Sequence, residues 1–276
     1  MKYTDLHLHS NYSDGETSPA KIIEIAAKNN YSAISITDHD TVDGLLEGSE
    51  AAKLHKLEFI TGVEISTMIG YTEIHILGYC FEDKNFNLLK VLEDMKNARS
   101  ERIMSIIKKL QKKKFAIDLE RVLELSESGV LGRPHIARAL IEKGYVNNLK
   151  EAFSKFLTPG CSTYVPRRKI SPRDAIQTIL DAKGIPVLAH PGINNSENYL
   201  LDLIDLGLLG IEVFHPDHTY KKQNILLQIA HTKNLLITGG SDWHGSNKGK
   251  STFPGQYLLK YEYYQTLLKK KGELYG

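Results

Sequence analysis

Several short segments of the chain alternate apolar and polar positions with a period of two, the spacing typical of β-strands. In the first of them, Leu6 and Leu8 alternate with Asp5, His7 and His9. Because successive side chains of a strand point to opposite faces, His7 and His9 share one face. Further strands are predicted at residues 32–37, 58–65, 73–79, 185–189, 210–214 and 235–238. Helical spacing separates most of these strands, so we expect about seven strands in a barrel-like α/β fold.

The middle of the chain has a different pattern. From about residue 86 to residue 157, apolar residues recur at helical intervals on segments rich in Lys and Arg. We therefore predict a barrel formed by residues 1–84 and 166–276, with a helical insertion at 85–165. Ser18 and Ser171, each followed by proline, are predicted to cap helices. A short polar link at 70–72 predicts that the third and fourth strands form a hairpin.

Composition narrows the class of protein. The 276 residues carry a net charge of +2 and only two cysteines. This balance predicts neither a long nucleic-acid surface nor membrane attachment. The cysteine content is typical of a reduced, cytoplasmic protein. We find no apolar run of the length that a membrane helix requires, and no secretory signal.

Most of the predicted strands end in a histidine or a carboxylate, and barrels place their chemistry at these ends. His55 and His231 instead lie among lysines in helical segments, and we expect them on the surface. The candidate metal ligands are His7, His9, Asp14, His39, Glu64, His75, His190, Asp242 and His244.

This ligand set exceeds the three or four protein ligands that one ion with an open position takes, so it suffices for two or three ions. Imidazole and carboxylate ligands without thiolates favour Zn, Mn, Fe or Ni. Clustered divalent ions lower the pKa of a bridging water toward about 7 and neutralise charge on a phosphoryl transition state. Phosphoester hydrolysis is therefore the predicted reaction.

The motifs that carry these ligands resemble those of the polymerase and histidinol phosphatase (PHP) superfamily, in the same order. They are 5–10 (DLHLHS), 37–39 (TDH), 62–64 (GVE), 189–192 (AHPG) and 241–244 (SDWH). The resemblance implies a distorted (β/α)7 TIM-like barrel and a trinuclear metal site. It also implies a partition of the ligands: His7, His9, Glu64 and Asp242 on one metal; Glu64, His75 and His190 on a second; Asp14, His39 and His244 on the third.

Residues 132–137 and 164–167 resemble the branch of stand-alone PHP phosphatases that act on nucleotides. This resemblance implies that the helical insertion covers the active site. It makes Arg133 a phosphate clamp, with Arg167 and His135 as further substrate-binding candidates. His218 would bind phosphate or protonate the leaving oxygen. Together with Asp242, Arg133 and His218 are the catalytic candidates, whereas His215 has no counterpart that we can place.

The leading hypothesis is hydrolysis of a nucleotide phosphomonoester, such as AMP or the 3′-phosphate of a nucleoside 3′,5′-bisphosphate, by a metal-bridging hydroxide. The alternatives are a histidinol-phosphate phosphatase and a 5′-3′ exoribonuclease or phosphodiesterase acting on short oligonucleotides. A metal-retaining regulatory module is the alternative without catalysis. The sequence leaves the native metal, the base preference and the oligomeric state open.

Overall fold

The computed structural model describes residues 2–70, 72–125, 132–166, 170–193, 195–246 and 259–276. The chain divides into two compact units. One comprises Met1–Leu92 and Lys169–Gly276, and the other comprises Glu93–Arg168. We call them the barrel unit and the helical unit.

The barrel unit contains one sheet of eight strands, in the order β7-β6-β5-β4-β3-β2-β1-β8. The strands are β1 (Tyr3–Asp5), β2 (Tyr31–Ile36), β3 (Glu58–Ile69), β4 (Thr72–Tyr79), β5 (Ile185–Leu188), β6 (Gly210–Phe214), β7 (Leu236–Gly239) and β8 (Leu259–Lys260). β3 and β4 are paired antiparallel, which confirms the predicted hairpin. The two-residue β8, antiparallel to β1, was not predicted.

Backbone hydrogen bonds bring β1 and the end of β7 together, so the sheet is nearly closed. The N–H of Leu6 donates to Gly239 at 3.2 Å, and the N–H of His9 donates to Trp243 at 3.0 Å. An isolated parallel bridge joins Leu8 to Trp243. β1 itself ends at Asp5, so His7 and His9 lie beyond the regular strand and within this closing segment. The predicted α/β barrel is confirmed.

Helices connect the strands and form the described part of the helical unit. They are α1 (Pro19–Lys28), α2 (Leu45–His55), α3 (Phe86–Lys112), α4 (Leu119–Glu124), α5 (Arg133–Glu142), α6 (Leu149–Ala152), α7 (Pro172–Asp181), α8 (Leu200–Asp205), α9 (Tyr220–Lys233) and α10 (Tyr261–Tyr275). A π-helical turn at Phe153–Leu157 continues α6, and a 3-10 turn at Ser196–Tyr199 precedes α8. The predicted caps are confirmed: Ser18 accepts the N–H of Lys21, and Ser171 accepts that of Asp174.

Each unit has its own apolar core. In the barrel unit, Leu6, Leu77 and Tyr79 belong to one buried cluster, and the Tyr79 hydroxyl donates to the Leu6 carbonyl at 2.9 Å. The helical unit buries a separate cluster that includes Ile106 and Leu140. Across the described ranges, no helix is both long and apolar enough to cross a membrane.

Candidate metal centre

The sheet places the candidate ligands on neighbouring strand ends. His39 follows β2 and forms an isolated parallel bridge with Glu64 on β3. His75 lies on β4, which pairs with β3, and His190 follows β5, which pairs with β4. His55 and His231, the predicted surface histidines, are exposed. All nine candidate ligands lie in the described residues, and the structure brings them into one cluster.

Glu64 is the centre of this cluster, and its side chain is buried. Five imidazole nitrogens surround its two carboxylate oxygens. Oε1 lies 2.8 Å from His75 Nδ1 and 2.9 Å from His190 Nε2, and Oε2 lies 2.9 Å from His39 Nδ1, 3.2 Å from His9 Nε2 and 3.4 Å from His7 Nε2. One carboxylate therefore contacts five imidazoles from four segments that are distant in sequence.

Asp242, which follows β7, faces two of these five histidines, His7 and His9. Its Oδ1 lies 3.1 Å from His9 Nε2 and 3.4 Å from His7 Nε2. Its backbone N–H donates to the His7 carbonyl at 2.9 Å, which ties the β7 end to the segment after β1. One ligand atom from each of His7, His9, Glu64 and Asp242 lies within 4.8 Å of the others.

Two further groups meet the same distance criterion. One contains His9, Asp14, His39 and His244, and the other contains His39, Glu64 and His75. Within the first, His244 Nε2 lies 3.3 Å from Asp14 Oδ1. Asp38 holds the loop that carries Asp14, because its carboxylate accepts hydrogen bonds from the hydroxyls of Ser10 and Ser13, each at 2.6 Å.

Several of the converging atoms are buried without a hydrogen-bond partner. They are His7 Nε2, both ring nitrogens of His9, His39 Nδ1 and Glu64 Oε2. Buried polar atoms in folded proteins normally have partners, and leaving one unsatisfied costs about 1–3 kcal/mol. Unpaired imidazole nitrogens facing a buried carboxylate oxygen are what a divalent cation would satisfy. The residues present therefore fit a metal centre.

The electrostatics of the cluster are strongly coupled. Burial alone would raise the pKa of Glu64, but the neighbouring imidazoles hold it well below its usual range. Burial alone would lower the pKa of His9, but Asp242 and Glu64 raise it to about 10. Glu64 likewise outweighs burial at His75 and raises its pKa to about 9. Because metal ligands must be deprotonated, a cation that binds here displaces protons.

Glu212 is a buried residue of the centre that the sequence analysis missed. It lies within β6, where one oxygen is 2.9 Å from His7 Nδ1 and the other accepts the backbone N–H of His190 at 2.8 Å. A carboxylate in the middle of an otherwise apolar strand, GIEVF at 210–214, is the signal that could have found it. Burial alone would raise the pKa of Glu212, but the neighbouring His7 lowers it.

The two histidines after β6 are also buried, and both ring nitrogens of each have a polar partner. His215 Nε2 lies 3.2 Å from Asp242 Oδ2, while its Nδ1 accepts the N–H of Asp217 at 3.1 Å. His218 donates from Nδ1 to the Val213 carbonyl at 2.9 Å and accepts the N–H of Gly192 at Nε2. Both nitrogens of His218 are therefore hydrogen bonded to the backbone, and its phosphate-binding or acid role stays a prediction.

The remaining candidates lie in the helical unit. Arg133 begins α5, donates from Nη1 to the Leu157 carbonyl at 3.0 Å and lies over the Phe153 ring. His135 Nδ1 accepts the N–H of Gly132 at 3.1 Å. Arg167 lies outside the described residues.

Comparisons with known proteins identify the family of the chain. A model of the PHP domain family matches residues 5–158. The chain is 31% identical to the 3′,5′-nucleoside bisphosphate phosphatase of Chromobacterium violaceum, over 90% of each chain. It is 32% identical to a phosphoribosyl 1,2-cyclic phosphate 1,2-diphosphodiesterase of Eggerthella lenta, over 87% of this chain and 94% of the relative. It is 33% identical to a 5′-3′ exoribonuclease of Haemophilus influenzae, over 88% and 90%.

Among solved structures, a protein of Bifidobacterium adolescentis described as a metal-dependent phosphoesterase superimposes with a TM-score of 0.85. The two chains are 30% identical, and the match covers 98% of this chain and 96% of the other. The family, the barrel fold and the class of phosphoric ester hydrolase predicted from the sequence are thereby confirmed. The chain belongs to the PHP domain family.

Proposed function

We propose that this protein hydrolyses a phosphomonoester of a nucleotide at the centre around Glu64. The observation that carries the proposal is the convergence of five imidazoles on one buried carboxylate, with Asp242 facing two of them. The relative named for nucleoside 3′,5′-bisphosphates supports that substrate, and AMP is a second substrate to test.

The proposed cofactors are two or three divalent ions, Mn, Zn or Fe, held as the family resemblance implies. The grouping of His7, His9, Glu64 and Asp242 supports the first position. His75 and His190, which contact the same Glu64 oxygen, would complete the second, and Asp14, His39 and His244 the third. When bound, such ions supply a water of lowered pKa and neutralise charge on the phosphoryl group.

The protein side chains have separable tasks in this proposal. Asp242 keeps Oδ1 toward His7 and His9 while Oδ2 contacts His215. Arg133 is the proposed phosphate clamp: a guanidinium has five N–H donors, and the bond to Leu157 leaves others to pair with phosphate oxygens.

Two further substrate contacts remain proposals. His135 remains a proposed contact from its sequence motif. Arg167 remains a proposed contact from its sequence motif alone. A cytoplasmic location also remains a prediction, from the cysteine content.

Phosphate release tests the proposal directly. The chelated protein is restored with Mn and given nucleoside 3′,5′-bisphosphates, AMP and histidinol phosphate in parallel. We expect release from a nucleotide that depends on Mn and is lost in His7→Ala, whereas the exposed-site control His231→Gln keeps wild-type rates. No release from any nucleotide with any metal would overturn the proposal, and release from histidinol phosphate alone would select that alternative.

A second candidate, cleavage of short oligonucleotides, is favoured by the distribution of charge. The net charge of +2 conceals an asymmetry: residues 93–168 carry 16 Lys and Arg against 9 Asp and Glu, and the remainder carries 19 against 24. The helical unit is thus net +7 and the barrel unit net −5. A basic unit attached to a hydrolytic barrel is suited to a substrate with several phosphates.

The exposed lysines near the end of α3 are the clearest part of this basic surface. Lys108, Lys112, Lys113 and Lys114 are exposed, and within the described ranges none of them has an acidic partner. The relative named as a 5′-3′ exoribonuclease supports an RNA substrate.

A matched pair of double variants tests this candidate. Lys112→Gln with Lys113→Gln removes one charge from the last residue of α3 and one from the turn that follows, and Lys269→Gln with Lys270→Gln removes two from α10. If α3 contacts the RNA backbone, only the first pair lowers kcat/KM for a 5′-phosphorylated oligonucleotide, and it reduces the slope against log salt by about 1.4. Hydrolysis of a mononucleotide stays unchanged. Equal effects of the two pairs would refute the contact.

A further inference from the structure

The segment from Glu212 to His218, comprising the end of β6 and the loop after it, contains three buried polar side chains. Glu212, His215 and His218 are at most 5% exposed. None of them belongs to the ligand groups described above. Burying three such groups is costly unless each has partners, so their contacts indicate what they do.

Glu212 sets the orientation of His7. The Nδ1–H of His7 donates to the Glu212 carboxylate at 2.9 Å, which leaves Nε2 toward Glu64 and Asp242. The second Glu212 oxygen accepts the backbone N–H of His190 at 2.8 Å. One carboxylate on β6 thus holds candidate ligands that follow β1 and β5.

His215 holds Asp242 in a comparable way. Because its Nδ1 accepts the Asp217 N–H at 3.1 Å, the neutral ring carries its proton on Nε2 and donates it to Asp242 Oδ2 at 3.2 Å. The other oxygen, Oδ1, then faces His7 and His9. Both nitrogens of His215 are occupied, so the ring is placed to orient a ligand rather than to be one.

His218 supports the turn that carries His190. Its Nε2 accepts the N–H of Gly192 at 3.1 Å, and its Nδ1–H is anchored on the Val213 carbonyl. The approach is close: a Cβ on Gly192 would lie 2.7 Å from His218 Cδ2, so only glycine fits.

We propose that residues 212–218 form a support that orients metal ligands from three other strands, with His215 as the positioning residue for Asp242. The inference rests on the proposed metal centre and deepens it. It assigns a role to His215, which the sequence analysis could not place. Groups hydrogen bonded to metal ligands typically change metal affinity by about 10- to 100-fold when removed.

Two isosteric variants of His215 separate positioning from packing. An Asn amide reaches roughly the position of Nδ1, so His215→Asn can still accept the Asp217 N–H but has no donor at Asp242. A Gln amide reaches roughly the position of Nε2, so His215→Gln keeps a donor for Asp242 and loses the acceptor. The measurement is Mn affinity of the full-length protein by competition with a chelator, with bound Mn counted per chain and no substrate present.

We expect His215→Asn to weaken Mn binding by about 10- to 100-fold, and His215→Gln to stay close to wild type. Equal affinity in both variants, whether retained or lost, would overturn the positioning role. Thermal unfolding of the chelated variants should be similar, since each keeps one of the two hydrogen bonds.

The outcome is separable from that of the proposed function. A wild-type protein that binds Mn and releases no phosphate contradicts the proposed activity but leaves the affinity difference between Asn and Gln measurable. A wild type that takes up no Mn at all overturns the support role together with the metal centre.

Discussion

Replacing Glu64 with Gln removes the single charge around which the centre is arranged, while keeping the size of the side chain. The carboxylate is buried and lies 2.8–2.9 Å from nitrogens of His75, His190 and His39. Removing one partner of a buried charged group costs about 3–5 kcal/mol, because the others stay desolvated. At about 2–4 °C per kcal/mol for a unit of this size, the barrel should lose roughly 6 to 20 °C in Tm.

The pH at which this loss appears follows from the direction of the pKa shift. Burial alone would raise the pKa of Glu64, but the neighbouring imidazoles hold it below its ordinary value. Its stabilisation is therefore present above the unfolded pKa of about 4.3 and is lost as the pH falls through the folded value. The difference between wild type and Glu64→Gln should be full at pH 7 and should shrink in acid.

Glu73→Gln is the matched control, because the same substitution is made at a carboxylate that also touches His75. Glu73 contacts Nε2 of that ring at 3.0 Å, but its side chain is 44% exposed. Partly exposed pairs contribute about 1 kcal/mol or less, so its Tm should fall by only a few degrees.

Scanning calorimetry of the chelated proteins and of the same proteins with Mn checks both values. Mn should raise the Tm of wild type and Glu73→Gln and have little effect on Glu64→Gln. An unchanged Tm in chelated Glu64→Gln, or equal shifts in the two variants, would refute the role of Glu64 as the centre of the cluster.

Three further predictions concern residues around Glu64. Glu212→Gln places an amide where the carboxylate serves both His7 and His190, so Mn affinity in chelator competition should fall by about 10- to 100-fold; wild-type affinity would contradict the support role. His7→Ala should abolish Mn-dependent phosphate release without unfolding the chain, as circular dichroism would show, and retained turnover would remove its assigned role. In the chelated protein, the pKa values of His9 and His75 are raised to about 10 and 9 by the carboxylates, which outweigh burial. The stabilisation from these two protonated histidines is present below about pH 6.5 and is lost as the pH rises through these values. Their contribution to Tm should therefore decline between pH 7 and 10, and a contribution that increases over this range would contradict the prediction.

Much of the barrel and its candidate ligands could be predicted because each signal is local. The short apolar segment 210–214 predicted the bounds of β6 to the residue, and Ser18 before Pro19 predicted the start of α1. Candidate ligands such as His39 and His190 could be recognised because they directly follow strands.

The contacts that orient those ligands could not be predicted, because they join segments that are distant in sequence. Glu212 and His7 are 205 residues apart, and His190 and Glu64 are 126 apart. Periodicity specifies which face a side chain occupies, but it does not specify which distant atom it meets. For this reason the sequence predicted a chemical role for His218 but not the hydrogen bonds that its two nitrogens form with Val213 and Gly192.

The early end of β1 has a similar cause. Alternation continues past Asp5, but the backbone of residues 6–9 hydrogen bonds to Gly239 and Trp243 at the closure of the barrel. Closure of the sheet depends on hydrogen bonds between the residues around the ends of β1 and β7, so the local sequence pattern does not predict it.

Counting the divalent ions bound per chain while following phosphate release from a nucleoside 3′,5′-bisphosphate tests the central claim most directly. Chelated protein is titrated with Mn, and both quantities are measured on the same samples. We expect more than one ion per chain, with phosphate release rising as these positions fill. Release that persists in the chelated protein, or saturation at a single ion without any release, would contradict the account.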